Sequence, residues 1–293
     1  MVIGAIEAGG TKFVCGIGNE RGEILTRISF PTQRPEVTMG KVIEFLRKTK
    51  VEAIGIGSFG PINLNRGSPH YGYITTTPKP GWSNYDILGV IKREFDVPCG
   101  WDTDVNAAVL GEVTWGAARG VDNCMYYTFG TGVGAGIYAE GKLVHGMMHP
   151  EAGHIMVRRH AADRYEGCCP YHGDCLEGMA SGPAIENRWG VKCSELPPDH
   201  PAWAMQAYYI GQALCGSILM LSPNKIILGG GVMKQLQLFP LIHSEVQRTL
   251  NGYVGSEQVL SNITPYIVQP ALGDDAGLCG ALALGLSAMD VSE

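Results

Sequence analysis

Short apolar segments separated by glycine-rich turns occur in two similar sets, one at the N-terminus and one in the middle of the chain. In the first set, VIGAI and KFVCGIGN flank the turn EAGGT, and EILTRISF follows. In the second set, CMYYT and VGAGIYA flank the turn FGTG, and LVHG follows. Apolar runs of this length between turns predict β-strands. We therefore expect two copies of one strand–turn–strand unit.

The two sets match each other when one is shifted by 120 positions along the chain. The matches include turn glycines and the threonine that follows them, which are positions with special backbone requirements. They pair Gly10 with Gly130, Thr11 with Thr131, Gly16 with Gly136, Ile17 with Ile137, and Glu20 with Glu140. We interpret this as a duplication that gives two α/β domains, residues 1–118 and 119–273. A C-terminal helix at about 274–293 is expected to pack back on the first domain.

Apolar residues at helical spacing fill the intervals between the strands. Helices are predicted for TMGKVIEFLRKT, YDILGVIKREF, VNAAVLGEVTWGAARG, PAWAMQAYYIGQALCGSILMLS and DDAGLCGALALGLSAM. The segment KIILGGGVMKQL predicts a strand, a glycine turn and a helix, in that order. Together with the strands, these helices predict the α/β fold class.

Composition limits the kinds of partner that we expect. The 293 residues are 45% apolar and 17% charged, which is enough apolar surface for a core. The net charge of −6 argues against nucleic-acid binding, and no apolar run reaches the roughly 18 residues of a membrane helix. The N-terminus does not have the pattern of a signal peptide, and nine cysteines do not suggest a disulfide framework. We expect a cytoplasmic protein that does not act on nucleic acids or membranes.

The turns EAGGT and FGTGVGAG are candidate phosphate-binding loops, because backbone N–H groups at a glycine-rich turn can converge on phosphate oxygens. A single turn of this kind is more often an ordinary hairpin. Two related turns, each at the start of a duplicated domain, favour a site that holds a polyphosphate from both sides. A third turn, LGGGV at 228–232, could hold a purine ring or its phosphates, and its alternative interpretation is a tight strand–helix turn.

The segment WDTDVNAA places Asp102 and Asp104 between a predicted strand and a predicted helix. A carboxylate in this position could accept a proton from an attacking hydroxyl group. The nearby helix N-terminus favours the ionised form, so we expect Asp104 to be charged. The alternative interpretation is that one of these aspartates only caps the helix.

Taken in order, these motifs resemble the ROK (repressor, open reading frame, kinase) family. The similar segments are EAGGTK, DTDVNAA, TFGTGVGAG, PEAGH, a Cys/His cluster that ends in CLE, and LGGGV. The resemblance implies a duplicated actin/hexokinase-like, ribonuclease H-like fold with a catalytic cleft between two domains. It also implies ATP and Mg²⁺ dependence, phosphorylation of a sugar hydroxyl, and a homodimer.

The resemblance also assigns roles to individual residues. Asp104 corresponds to the catalytic base. The implied ATP-binding residues are Gly9, Gly10, Thr11, Lys12, Thr131, Gly132, Pro183, Gly229, Gly230, Gly231 and Val232. The implied sugar-binding residues are Thr103, Asp104, Glu151, His154 and Glu177. Two positions depart from the family pattern, because Glu7 stands where the family has Asp and Thr103 stands where it has Asn.

The Cys/His cluster predicts a structural zinc site, since tetrahedral Zn²⁺ in a closed site takes four N or S ligands. Cys168 is left out because neighbouring side chains in an extended loop diverge, and His160 is a competing fourth ligand. The predicted ligand set is His154, Cys169, His172 and Cys175. The second ring nitrogen of His154 could then donate to a sugar hydroxyl.

The cluster sequence CCPYHGDCLE is similar to the fructokinase branch of the family, and this resemblance names fructose as the expected substrate. The reaction would convert D-fructose and ATP to D-fructose 6-phosphate and ADP. Alternatives within the family are a glucokinase, a mannokinase or an N-acetylhexosamine kinase. A more remote alternative is a sugar-responsive regulator without catalysis.

Overall fold

A computed structural model describes residues 1–290 of the chain, which form two five-stranded mixed sheets surrounded by helices. The strands of the first sheet are β1 (Val2–Ala8), β2 (Lys12–Asn19), β3 (Ile24–Pro31), β4 (Ala53–Ser58) and β7 (Cys99–Thr103). Those of the second are β8 (Cys124–Phe129), β9 (Val133–Ala139), β10 (Lys142–Leu143), β11 (Lys225–Gly229) and β12 (Ile267–Val268). A small hairpin is formed by β5 (Tyr73–Ile74) and β6 (Tyr85–Asp86).

The two sheets have the same topology. The first has the strand order β3-β2-β1-β4-β7 and the second has the order β10-β9-β8-β11-β12. In each sheet the first three strands along the chain are antiparallel neighbours, and the last two join on in parallel. The duplicated α/β fold expected from the two glycine turns is therefore confirmed.

Nine helices occur among the described residues. They are α1 (Pro35–Leu46), α2 (Ile87–Glu94), α3 (Asp104–Thr114), α4 (Leu176–Ala180), α5 (Gly182–Trp189), α6 (Ala202–Leu221), α7 (Leu238–Leu250), α8 (Glu257–Leu260) and α9 (Ala276–Asp290). Five of these, α1, α2, α3, α6 and α9, were predicted from helical spacing, with ends shifted by a few residues. Among the described residues, no helix is long and apolar enough to cross a membrane.

Three predicted elements differ from the structure. The helix that begins at Asp104 ends at Thr114 rather than continuing to Gly120, and the strand LVHG is reduced to the second residue of β10. After β11, the glycine turn leads into a short 3₁₀ turn, Val232–Lys234, and α7 begins only at Leu238. The predicted strand–turn–helix order is therefore interrupted by a loop.

Helices α3 and α9 pack together at very close range, with α9 against the first sheet and α3 also against β8 and β9 of the second sheet. A Cβ atom on Gly280 would overlap the carbonyl oxygen of Ala107, and one on Gly111 would lie 2.7 Å from the backbone nitrogen of Gly280. Glycine at these positions lets the two backbones touch. Leu278 and Leu282 of α9 pack against Ile3 of β1. Residues 291–293, the end of the expected C-terminal helix, lie outside the described residues.

Candidate functional site

Asp104 is the first residue of α3, at the end of β7. The N-cap of α3 is Thr103, whose hydroxyl accepts a hydrogen bond from the backbone N–H of Asn106 at 3.1 Å. The interpretation of Asp102 or Asp104 as the helix cap is therefore wrong. Asp104 Oδ1 accepts instead from the backbone N–H of Val105 at 2.9 Å.

The Asp104 carboxyl has a pKa raised to about 7, mainly because it is desolvated and additionally because Glu7 places a negative charge nearby. The expectation of a fully charged Asp104 is therefore corrected, since burial outweighs the helix N-terminus. The pKa of Glu7 is also raised to about 7, again mainly by burial. A pKa near the operating pH suits a group that must accept a proton and release it again.

Glu151 and Glu177 share this region with Asp104. Burial raises the pKa of Glu151 to about 7, and the negative charges of Asp104 and Glu177 add to the rise. Glu151 precedes a 3₁₀ turn that contains His154, and Glu177 lies in the first turn of α4. Three carboxyl groups from separate segments therefore lie within electrostatic reach of one another.

The first glycine turn joins β1 to β2. The backbone N–H of Gly9 donates to the carbonyl of Lys12 at 3.0 Å, and the hydroxyl of Thr32 donates to the carbonyl of Gly9 at 2.6 Å. A Cβ atom on Gly10 would meet nothing within 4 Å, and Thr11 is exposed. The tip of this turn is therefore open to a ligand.

The second glycine turn, between β8 and β9, occupies the equivalent position in the second sheet. The backbone N–H of Gly182, at the start of α5, donates to the carbonyl of Gly130 at 2.8 Å. Glu177 Oε2 accepts from the backbone N–H of Val133 at 3.0 Å. Thr131 is exposed, as Thr11 is in the first turn. The two turns are thus equivalent in topology and in the exposure of their threonines.

The third glycine turn, Gly229 to Val232, follows β11. Gly230 has φ +90°, and a Cβ atom there would lie 2.5 Å from the carbonyl oxygen of Phe129. Only glycine fits this position. The turn is thereby held against the end of β8, beside the second glycine turn. Pro183 lies in the first turn of α5. This helix starts next to the second glycine turn, because Gly182 is hydrogen-bonded to Gly130.

The four predicted metal ligands converge in the structure. The ligand atoms of His154, Cys169, His172 and Cys175 all lie within 4.8 Å of one another. His154 Nδ1 is 3.6 Å from the sulfur atoms of both Cys169 and Cys175, and His172 Nδ1 is 3.7 Å from that of Cys169. A tetrahedron with usual zinc bond lengths separates N from S by roughly 3.5 Å. These three N–S distances are therefore close to those of a tetrahedral zinc site.

Two alternatives for the metal set do not lie in this cluster. Cys168 directs its sulfur toward the carbonyl of Gly178 at 3.5 Å and the hydroxyl of Ser181 at 3.8 Å. His160 packs against Tyr208 with ring centroids 4.8 Å apart, and its Nδ1 accepts from the backbone N–H of Ala162. Because Nδ1 of His154 faces the thiols, its Nε2 is left for another partner.

Several polar contacts near Asp104 were not predicted from the sequence. Asp102 is buried, and its carboxylate contacts Asn106 Nδ2 at 2.7 Å and His145 Nε2 at 2.8 Å. His149 is also buried, and its Nε2 accepts from the backbone N–H of Ile62 at 3.1 Å. These partners are 43 and 87 positions apart, so no local sequence pattern could have paired them.

A buried ion pair supports the loop that carries the Cys/His cluster. Arg188 donates to Asp163 at 3.1 Å, and both side chains are almost fully buried. The hydroxyl of Tyr209 donates to Asp163 at 2.6 Å, and Arg188 also stacks on the rings of Tyr165 and Tyr209. The loop is therefore anchored to α5 and α6 by groups other than the four metal ligands.

Comparison with known proteins places the chain among sugar kinases. The sequence model of the protein family described as "ROK family" matches residues 3–288 of this chain. A curated relative from Bacillus subtilis is 52% identical over 288 residues, which cover 98% of this chain and 96% of the relative. A fructokinase from Pediococcus pentosaceus is 47% identical and covers 99% of both chains. The structure of a ROK hexokinase from Thermus thermophilus superposes with a TM-score of 0.80 at 26% identity, covering 100% of this chain and 99% of that one.

Proposed function

The chain belongs to the ROK family, and on this premise we propose that it is an ATP-dependent fructokinase. It would transfer the γ-phosphoryl group of ATP to the 6-hydroxyl of D-fructose, giving D-fructose 6-phosphate and ADP. The choice of fructose is supported by the fructokinases that are 40–47% identical over nearly the whole chain.

The observation that carries the proposal is the placement of Asp104. Its carboxyl lies at the end of β7, and its pKa of about 7 is raised by burial and by Glu7, which precedes the first glycine turn. Asp104 in turn raises the pKa of Glu151, on the segment that leads to His154. These shifts support the proposal that Asp104 accepts the proton of the hydroxyl group that attacks the γ-phosphorus.

We assign ATP to the three glycine turns. Backbone N–H groups of the first two turns would bind phosphate oxygens, and the third turn would hold the adenosine. Mg²⁺ would neutralise charge on the transferred phosphoryl group. The proposed ATP-binding residues are Gly9, Gly10, Thr11, Lys12, Thr131, Gly132, Pro183, Gly229, Gly230, Gly231 and Val232.

We assign the hexose to the carboxyl groups around Asp104. Glu151 and Glu177 would accept hydrogen bonds from sugar hydroxyls, and His154 would contribute its Nε2. Thr103 completes the set, while its hydroxyl also caps α3. These residues come from β7, from the turn after Glu151 and from α4, so the sugar would be held from several sides.

We propose a structural Zn²⁺ bound by His154, Cys169, His172 and Cys175. The convergence of the four ligand atoms supports it, and such a metal would hold the loop in place. With Nδ1 of His154 on the metal, the tautomer and direction of Nε2 would be fixed. Nothing in this arrangement requires zinc to take part in phosphoryl transfer.

Three further assignments complete the proposal. We propose domains at 1–118 and 119–273, with the C-terminal helix packed on the first domain, as the contacts of α9 with β1 support. We propose a homodimer, which light scattering can test. We propose a cytoplasmic location, in agreement with nine free cysteines.

A coupled assay over a panel of hexoses tests the substrate. With ATP and Mg²⁺, fructose should give a kcat/KM at least ten-fold higher than glucose, mannose or N-acetylated hexoses. A higher value for one of those sugars would replace fructose as the substrate. Absence of ADP formation with every hexose would contradict the kinase assignment.

A further inference from the structure

The segment His145–Glu151, in the second half of the chain, contains two histidines that contact residues of the first half. His145 contacts Asp102 of β7, and His149 accepts a hydrogen bond from Ile62, just after β4. The same segment ends at Glu151, a proposed hexose ligand. The position of this carboxyl therefore depends on how the segment is held against the first half.

The hydrogen bond of His149 fixes its tautomer. A backbone N–H can only donate, so Nε2 of His149 must be unprotonated to accept from Ile62. The ring proton is then on Nδ1, which lies 3.4 Å from Glu151 Oε1. Burial lowers the pKa of His149, which keeps the ring neutral and Nε2 an acceptor. One ring nitrogen of His149 thus meets Ile62, and the other meets Glu151.

On the other side of this contact, Ile62 is tied to the start of a long loop. The carbonyl of Pro61 accepts from the backbone N–H of Thr75 at 2.8 Å and from its hydroxyl at 3.0 Å. Thr75 begins the segment TTTPKPGWSNY, which connects β5 to β6 and is rich in turn residues. A single path of contacts therefore runs from Glu151 through His149 and Ile62 to this loop.

We propose that His149 is a positioning residue for the hexose site. It holds Glu151 and the base of the loop at 75–85 at a fixed separation between the two halves of the chain. This inference rests on the proposed function, because it takes Glu151 to be a hexose ligand. It concerns the hexose side only, since none of the residues in the path belongs to the three glycine turns.

The test compares two substitutions of His149. His149→Phe fills the space but leaves the buried N–H of Ile62 unpaired, and should raise the KM for fructose roughly ten-fold. The KM for ATP should stay within two-fold. His149→Gln places an amide oxygen near the position of Nε2 and should recover most of the fructose affinity. If His149→Phe is not obtained folded, His149→Leu carries the same test.

His243→Phe is the matched control for a general loss of stability. His243 lies on α7, away from Asp104, and its Nε2 is 3.0 Å from the carbonyl oxygen of Ile267. The His243→Phe substitution should leave the fructose KM unchanged. Equal increases in both KM values, no recovery by His149→Gln, or a normal fructose KM in His149→Phe would each overturn the positioning role alone. A wild-type protein that phosphorylates no hexose would overturn the proposed function and, with it, this inference.

Discussion

Glu177 Oε2 accepts a hydrogen bond from the backbone N–H of Val133 at 3.0 Å. This bond joins the helix that follows the Cys/His cluster to the second glycine turn. A Cβ atom on Gly132 would lie only 2.6 Å from the same oxygen, so the carboxylate packs directly on the turn. In the proposed function, Glu177 would therefore affect both substrates, the sugar through its charge and ATP through the turn.

The two roles of Glu177 can be separated by substitution. Glu177→Ala removes the acceptor for Val133 and should raise the KM for ATP about five-fold, the effect of losing one hydrogen bond. Glu177→Gln keeps an oxygen for Val133 but has no charge. Its ATP KM should therefore be close to that of the wild type, while the fructose KM should be raised in both variants because both lack the charge. Steady-state kinetics with each substrate varied in turn provides the measurement. Identical ATP KM values for the two variants would contradict the role in the turn.

The raised pKa of Asp104 predicts how activity depends on pH. Only the deprotonated carboxylate can accept the proton of the sugar hydroxyl, and burial places its pKa at about 7. The kcat/KM for fructose should therefore fall about ten-fold per unit as the pH drops below 7. Glu151 and Glu7 also have pKa values of about 7. The fall in activity on the acidic side of the profile therefore reports the titration of these three carboxyl groups together. A profile that is flat from pH 8 to pH 5 would contradict this account.

The same shift predicts an effect on stability. The pKa of Asp104 is higher in the folded state than its usual value of 3.8, so its contribution is present below pH 4 and is lost as the pH rises through 7. Asp104→Asn mimics the protonated form and should raise the Tm by about 2 °C at pH 8. The difference should disappear near pH 4. Scanning calorimetry at both pH values measures it, and a lower Tm at pH 8 would argue against the desolvated carboxylate.

Zinc content can be tested against a neighbouring cysteine. Cys169→Ser should lower the content from one zinc per chain to well below half, because one of four ligands is lost. Cys168→Ser should leave the content unchanged, since that thiol faces Gly178 rather than the cluster. Metal analysis of the purified variants, with the Tm before and after chelation, gives the answer. Equal zinc content in the two variants would exclude the proposed ligand set.

Local patterns predicted much of this structure. The second strand of each copy, KFVCGIGN and VGAGIYA, forms over the expected residues, because apolar runs and flanking glycines determine strands locally. The ligands of the Cys/His cluster converge as their spacing suggested, since Cys169, His172 and Cys175 lie in one short loop.

Contacts between distant segments were beyond the reach of sequence patterns. The pairing of His149 with Ile62 joins a loop of one half to a loop of the other, and neither residue carries a local signal. The ionisation predicted for Asp104 at neutral pH was too high, for a related reason. The helix N-terminus can be recognised in the sequence, whereas desolvation depends on what surrounds the carboxyl in the folded chain.

The most direct test of the central claim is the turnover of Asp104→Asn with fructose and ATP. Asn keeps the size of the side chain but cannot accept the hydroxyl proton. We predict that kcat falls at least about 100-fold, that fructose binding measured by calorimetry changes less than five-fold, and that the wild-type product is fructose 6-phosphate by phosphorus NMR. Near-normal turnover in Asp104→Asn would contradict the account.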